Sequence, residues 1–203
     1  MDRSLAASLL AVPARPALYA IAAWLALALV VALSEAITME RRFAVPIVLA
    51  SLVALLVALY RRGGALRALA DGLDARTLVL FHVVRAPIGV AFLVLMGQGL
   101  DGTFARIAGV GDLISGGLAL AVGLFAVRSR GLVLAWNALG LADILLVVFT
   151  AQRILIFSDH PGTMAILVHF PGMLLPTFLV PLVIATHVLL FARLRTAAPA
   201  GSA

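Results

Sequence analysis

Three ionisable side chains, Arg85, Asp112 and Asp143, lie deep inside long apolar runs of this chain. A charge at the centre of a membrane span costs about 2.5–3.5 kcal/mol on insertion scales, so such residues face protein groups and pair with one another. With a helical rise of 1.5 Å, Arg85 stands about 12 Å from one end of its span, and Asp112 about 12 Å from the opposite end of the next. In a hydrocarbon core about 30 Å thick the two differ in depth by about 6 Å, which an arginine side chain can bridge. Asp143 comes out level with Asp112. The spacing therefore predicts a cluster of Arg85 with one or both aspartates. Two carboxylates against one guanidinium leave one negative charge in excess, which a coupled transporter could use to carry a proton. The same trio could also be an ion pair that only ties three helices together.

Other residues could do chemistry beside this cluster. His82 and His187 fall at similar depths in the third and sixth spans, where a histidine pair could ligate a b-type haem from opposite faces. That would make a haem- or quinone-linked redox protein. His82 also shares a helix face with Arg85 at three-residue spacing, so it could join the polar cluster instead. Trp136, Gly140 and Asp143 share one face of the fifth span. Asn137 points aside and is expected to hydrogen-bond to a neighbouring helix. Trp136, near a span end, reads as an interfacial anchor. The sixth span carries Pro171, Pro176 and Pro181. Each removes an amide donor and displaces the carbonyl four residues earlier, so this helix is expected to be kinked or opened, with Pro176 lining a ligand. Ser158-Asp159-His160-Pro161-Gly162 reads as a turn, and Asp159, His160 and His169 have no recognised metal-ligand spacing. No resident metal or other cofactor is expected.

Several chemistries are excluded outright. The chain has no cysteine, and all 15 of its basic residues are arginine. Disulfides, thiolate nucleophiles, Schiff bases and P-loop phosphate binding are therefore absent. No serine-hydrolase, zinc-protease or nucleotide-binding signature occurs either. The net charge of +6 could suggest nucleic acid, but the arginines are scattered between apolar runs and fit membrane flanks better.

The elements that must position these groups follow from composition. Of the 203 residues, 64% are hydrophobic and 12% charged, about half the charged share of a soluble domain. Neither a water-soluble globule nor a disordered chain fits, and a multi-pass membrane protein does. Six apolar runs approach the roughly 20 residues that span a bilayer, at about 17–37, 43–60, 77–96, 104–127, 131–151 and 164–191. They are too long and continuous for barrel strands, so the expected fold is all-α, one bundle of six transmembrane helices over 17–195. The first run exceeds a signal-peptide core and has Glu35 beside its small-residue end, so it is expected to be retained. Residues 1–16 are expected to form a surface segment, and 196–203 a flexible tail.

Ten arginines fall on one side of this arrangement and four, Arg41, Arg42, Arg106 and Arg153, on the other. The arginine-rich side should face the cytoplasm, with both termini. Between Arg61 and Arg76, Leu66, Leu69 and Leu73 share a helical face, as in a short helix lying on the inner leaflet. Gly111, Ser115, Ala119 and Gly123 recur every four residues. Such a stripe lets another backbone approach closely, within the bundle or in a homo-oligomer, and it would be the working surface if the chain were a non-catalytic membrane assembly or scaffold protein.

The strings Phe81-His82-Val83-Val84-Arg85-Ala86-Pro87, Ala108-Gly109-Val110-Gly111-Asp112, Trp136-Asn137-Ala138-Leu139-Gly140 and Leu175-Pro176-Thr177-Phe178-Leu179-Val180-Pro181, followed by His187, occur in that order. In this the chain resembles a group of small uncharacterised bacterial integral membrane proteins with an F-x-x-x-R-x-P segment, a W-N-x-x-G segment and a proline-rich last helix. The resemblance covers about the last three-fifths of the chain, without the first two spans. It implies a multi-pass protein of the bacterial inner membrane and brings no activity. The expected partners are membrane lipid and an unknown small-molecule or ion ligand, without nucleic acid.

Overall fold

A computed structural model of the chain describes residues 14–196. The expected surface segment up to residue 13 and the tail from residue 197 lie outside the described residues. Six helices are long and apolar enough to cross a membrane, and no strand occurs among the described residues. They are α1 (Arg15–Leu33), α2 (Ala44–Arg62), α4 (Ala75–Met96), α5 (Gly102–Ala126), α6 (Arg130–Phe157) and α7 (Leu175–Arg195). The short helix α3 (Ala65–Gly72) lies between α2 and α4. Many large apolar side chains, among them Ile47, Phe125 and Phe149, point outward, as they should when lipid is the solvent.

Local sequence signals account for the ends. Asp74 caps α4 by accepting from the Thr77 amide at 2.6 Å. Asp101 caps α5 by accepting from the Thr103 and Phe104 amides, both at 2.9 Å. Each satisfies donors that the first helical turn leaves free. Gly63 and Gly64 both take positive φ between α2 and α3, a conformation that favours glycine. Pro87 has no amide to offer the preceding turn, and α4 tightens to a 3-10 turn over His82–Val84, just before Arg85.

The sixth expected span differs from its prediction. The membrane helix begins at Leu175, and Pro161–Leu167 forms a separate 3-10 segment. A Cβ on Gly172 would come within 2.0 Å of the Ile166 carbonyl oxygen, so the chain folds back on itself there as only glycine allows. Inside α7, Leu175–Leu179 is a π turn. Pro181 cannot bond to the Thr177 carbonyl; that oxygen accepts instead from Trp24 Nε1 on α1 at 2.9 Å. The proline-rich string thus fastens the first helix to the last.

α4 and α5 form the closest helix pair. A Cβ on Gly89 would reach within 2.5 Å of the Gly109 carbonyl oxygen, and one on Gly116 within 2.6 Å of the Ala86 amide nitrogen. Small residues at the contact let the two backbones touch. The stripe singled out in sequence is also spent inside the bundle. Gly111 abuts Asp143, Gly123 abuts Leu80, and Ser115 and Ala119 are fully buried. In this packing the Gly111/Ser115/Ala119/Gly123 face is therefore not a surface for a second copy.

Helix α3 packs its apolar side against the bundle. Leu69 joins Ala14 and Ala17, while Leu73 packs beside Tyr60 and Leu78. Arg193 of α7 donates to the Leu73 carbonyl at 2.5 Å and to the Ala70 carbonyl, capping the free end of α3. The leucine face expected on the lipid leaflet is thus largely covered by protein.

Candidate ligand site around Arg85

Arg85 is 2% exposed and uses all three of its nitrogens. Nε donates to Asp112 Oδ1 at 2.6 Å, Nη1 to the Gly140 carbonyl at 3.1 Å, and Nη2 to Asp143 Oδ2. Asp143 Oδ2 also accepts from the Ser115 hydroxyl at 3.2 Å. The structure thus brings Arg85, Asp112 and Asp143 into one cluster held by α4, α5 and α6. Its geometry depends on two glycines. A side chain at Gly111 would collide with the Asp143 carboxylate, and one at Gly140 with the His187 ring.

The Trp136-Asn137-x-x-Gly140 string wraps His187. Asn137 Nδ2 donates to the His187 carbonyl at 3.0 Å, which fixes the amide so that its Oδ1 faces the imidazole. That oxygen lies 2.8 Å from His187 Nδ1, which must therefore be the donor. A neutral ring then leaves Nε2 bare, and this buried atom has no partner. His82 Nε2 lies 3.1 Å from Thr186 Oγ1, and Thr186 itself donates to the Leu182 or Val183 carbonyl. His82 Nε2 is then the donor, and its unpartnered Nδ1 is the bare nitrogen.

This pair corrects the haem expectation. The His82 and His187 ring centroids are 4.1 Å apart, with Trp136 packed against both rings. Axial ligands must stand on opposite sides of a macrocycle; rings already in contact leave no slot for one, and His82 Nε2 is engaged with Thr186. Trp136 is corrected as well. It is buried, and its Nε1 donates to the Ser115 carbonyl at 3.1 Å, so it is a core residue and not an interfacial anchor. His169 contacts Glu35 at 3.3 Å, and no group of three or more metal-ligating side chains assembles among the described residues.

Beside the cluster lies a cavity of about 70 Å³, walled by Arg85, Asp112, Ile88, Phe92, Phe104, Ile144, Gln152, Pro176 and other apolar residues of α2, α4, α5, α6 and α7. Pro176 is thus on the wall where Arg85 and Asp112 supply the polar end; Asp143 holds Arg85 from behind, and Asn137 bonds to His187, not to the ion pairs. Sequence reasoning named Ser115 and Gly140 only for their place on a helix face and missed Thr186 and Gln152. Hydroxyl, glycine and amide residues inside apolar runs are common, and only their neighbours reveal their use.

Residues 42–195 match the family model described as a domain of unknown function, DUF8737. The match spans well over half of the chain, and the chain belongs to that family. The match reaches back to take in α2, which the resemblance read from sequence left out. No curated protein and no solved structure matches the chain.

Proposed function

We propose that this DUF8737 member is a small transporter-like, ligand-binding protein of a bacterial inner membrane, with both termini in the cytoplasm. The orientation rests on the arginine asymmetry, ten residues against four. The working centre is Arg85 with Asp112 and Asp143, faced by Pro176, with Asn137 bonded to His187 beside it. One observation carries the reading: the buried, charged Arg85 and Asp112 form the polar end of an apolar cavity. An ion pair that served only to tie helices would be packed closed, because a void forfeits contact on every side. An apolar pocket with a few convergent polar groups is instead the usual form of a small-molecule site. The π turn at Leu175–Leu179 sits on the cavity wall, where irregular backbone lets a helix rearrange.

The absence of native cysteine gives a direct test. Ile144→Cys places one thiol on the cavity wall, and Val133→Cys places one in packed core. In membranes, a small maleimide is expected to label position 144 and spare position 133. Equal protection of both would reduce the cluster to a structural tie.

A further inference from the structure

The bonding state of the cavity's polar groups decides what can enter it. Each Arg85 nitrogen already donates to protein: Nε to Asp112, Nη1 to the Gly140 carbonyl and Nη2 to Asp143. Asp112 meets Arg85 through Oδ1, which leaves Oδ2 as an acceptor. One guanidinium against two carboxylates leaves one negative charge uncompensated. The remaining walls are apolar and include Phe92 and Phe104, packed edge to face with ring centroids 5.1 Å apart. A guest must therefore bring a hydrogen-bond donor to Asp112 Oδ2. A positive charge would balance the excess and be tolerated beside aromatic faces. About 70 Å³ admits only a small head group, so an apolar remainder must run between helices into the bilayer.

We propose that the cavity takes a lipophilic ammonium, an amphiphile whose primary or secondary amine head reaches Asp112 Oδ2 while its hydrocarbon part lies along the apolar wall. The assignment rests on the reading of the Arg85 cluster as a ligand site, and it names the class of ligand.

The test uses the full chain in lipid nanodiscs, with empty nanodiscs subtracted, and three probes of equal chain length: octylammonium, octanol and octanoate. Octylammonium is expected to bind about tenfold tighter than octanol, the difference between a charge-assisted and a neutral hydrogen bond, and octanoate not at all. Asp112→Asn should erase that preference. Ala151→Phe, which fills the cavity from its apolar wall, should abolish binding of both octylammonium and octanol. Octanol binding as tightly as octylammonium, and still blocked by Ala151→Phe, would overturn the ammonium assignment and leave the ligand site standing. Failure of every probe to bind in a manner blocked by Ala151→Phe would overturn both.

Discussion

Helix α1 and the centre around Arg85 are both apolar by sequence, yet they are held by different physics. In α1 the described side chains mostly face outward; Ala17, Ala28 and Ala32 are buried, and Trp24 reaches across to the Thr177 carbonyl. Around Arg85, four helices meet through ion pairs, amide bonds and backbone contact that a single methyl group would disturb. The family match draws the same line, since it starts at residue 42 and leaves α1 out. In a lipid solvent, burying more leucine adds little, because acyl chains are as apolar as leucine. What fastens helices is close backbone approach and satisfied polar groups, and both gather around Arg85.

The sharpest way to break this contrast is at the guanidinium. Arg85→Met alone leaves two buried carboxylates facing each other, and the loss expected is about 3–5 kcal/mol. Joining it to Asp112→Leu and Asp143→Leu should restore most of that, because the buried charges are then gone. Denaturant unfolding in mixed micelles compares the two, and a triple variant less stable than the single would contradict the ion-pair account.

Next in size is the α4–α5 contact. Gly89→Ala drives a methyl group into the Gly109 carbonyl and should cost about 1–3 kcal/mol, as overpacking does. Gly97→Ala, whose Cβ would sit 3.6 Å from the Val94 carbonyl oxygen, is the control expected to be mild. Equal effects at 89 and 97 would mean that the two helices are not in backbone contact. Asn137→Leu removes the acceptor of the His187 Nδ1–H and should cost about 1–3 kcal/mol. In nitrogen NMR of labelled histidine, the His187 ring should lose its single-tautomer signature in that variant.

On the α1 side the expected effects shrink. Trp24→Phe keeps the ring against Phe178 and loses only the bond to the Thr177 carbonyl, worth about 0.6 kcal/mol in a membrane. A loss as large as that of Asn137→Leu would erase the distinction between the two regions. The smallest effect concerns the cap of α4. The bonds from Thr77, backbone first, hold the Asp74 carboxyl below its usual range. Because the folded-state value is the lower one, this contribution is present above the ordinary carboxylate value and fades as pH falls through the folded value. Asp74→Ala should remove that acid-sensitive part of the stability, and an unchanged acid limb in its unfolding profile would contradict the capping role.

Much of the site was legible because membrane burial makes charge conspicuous. Arg85, Asp112 and Asp143 stand out in apolar runs, and a fixed helical rise converts their positions into depths. Depth says nothing about rotation about the helix axis. That is why His82 and His187, correctly placed at similar levels, read as two separated ligands when their rings in fact touch. The same gap made Trp136 look like an anchor, since nearness to a span end is visible in sequence and facing inward is not. The small-residue stripe announced a close contact without saying whose, and the structure assigns it to Asp143 and Leu80 of the same chain.

By itself the sequence determined the solvent, the number of crossings and the candidate charges, because each follows from apolar length and from the cost of a charge in lipid. Only the tertiary structure decided which carbonyl Arg85 takes, which nitrogen each histidine leaves bare, and that a cavity remains beside them. Those outcomes depend on the mutual rotation and approach of α4, α5, α6 and α7. Apolar contact discriminates little between arrangements when the solvent is itself apolar, and it is the few polar groups and glycines that select one.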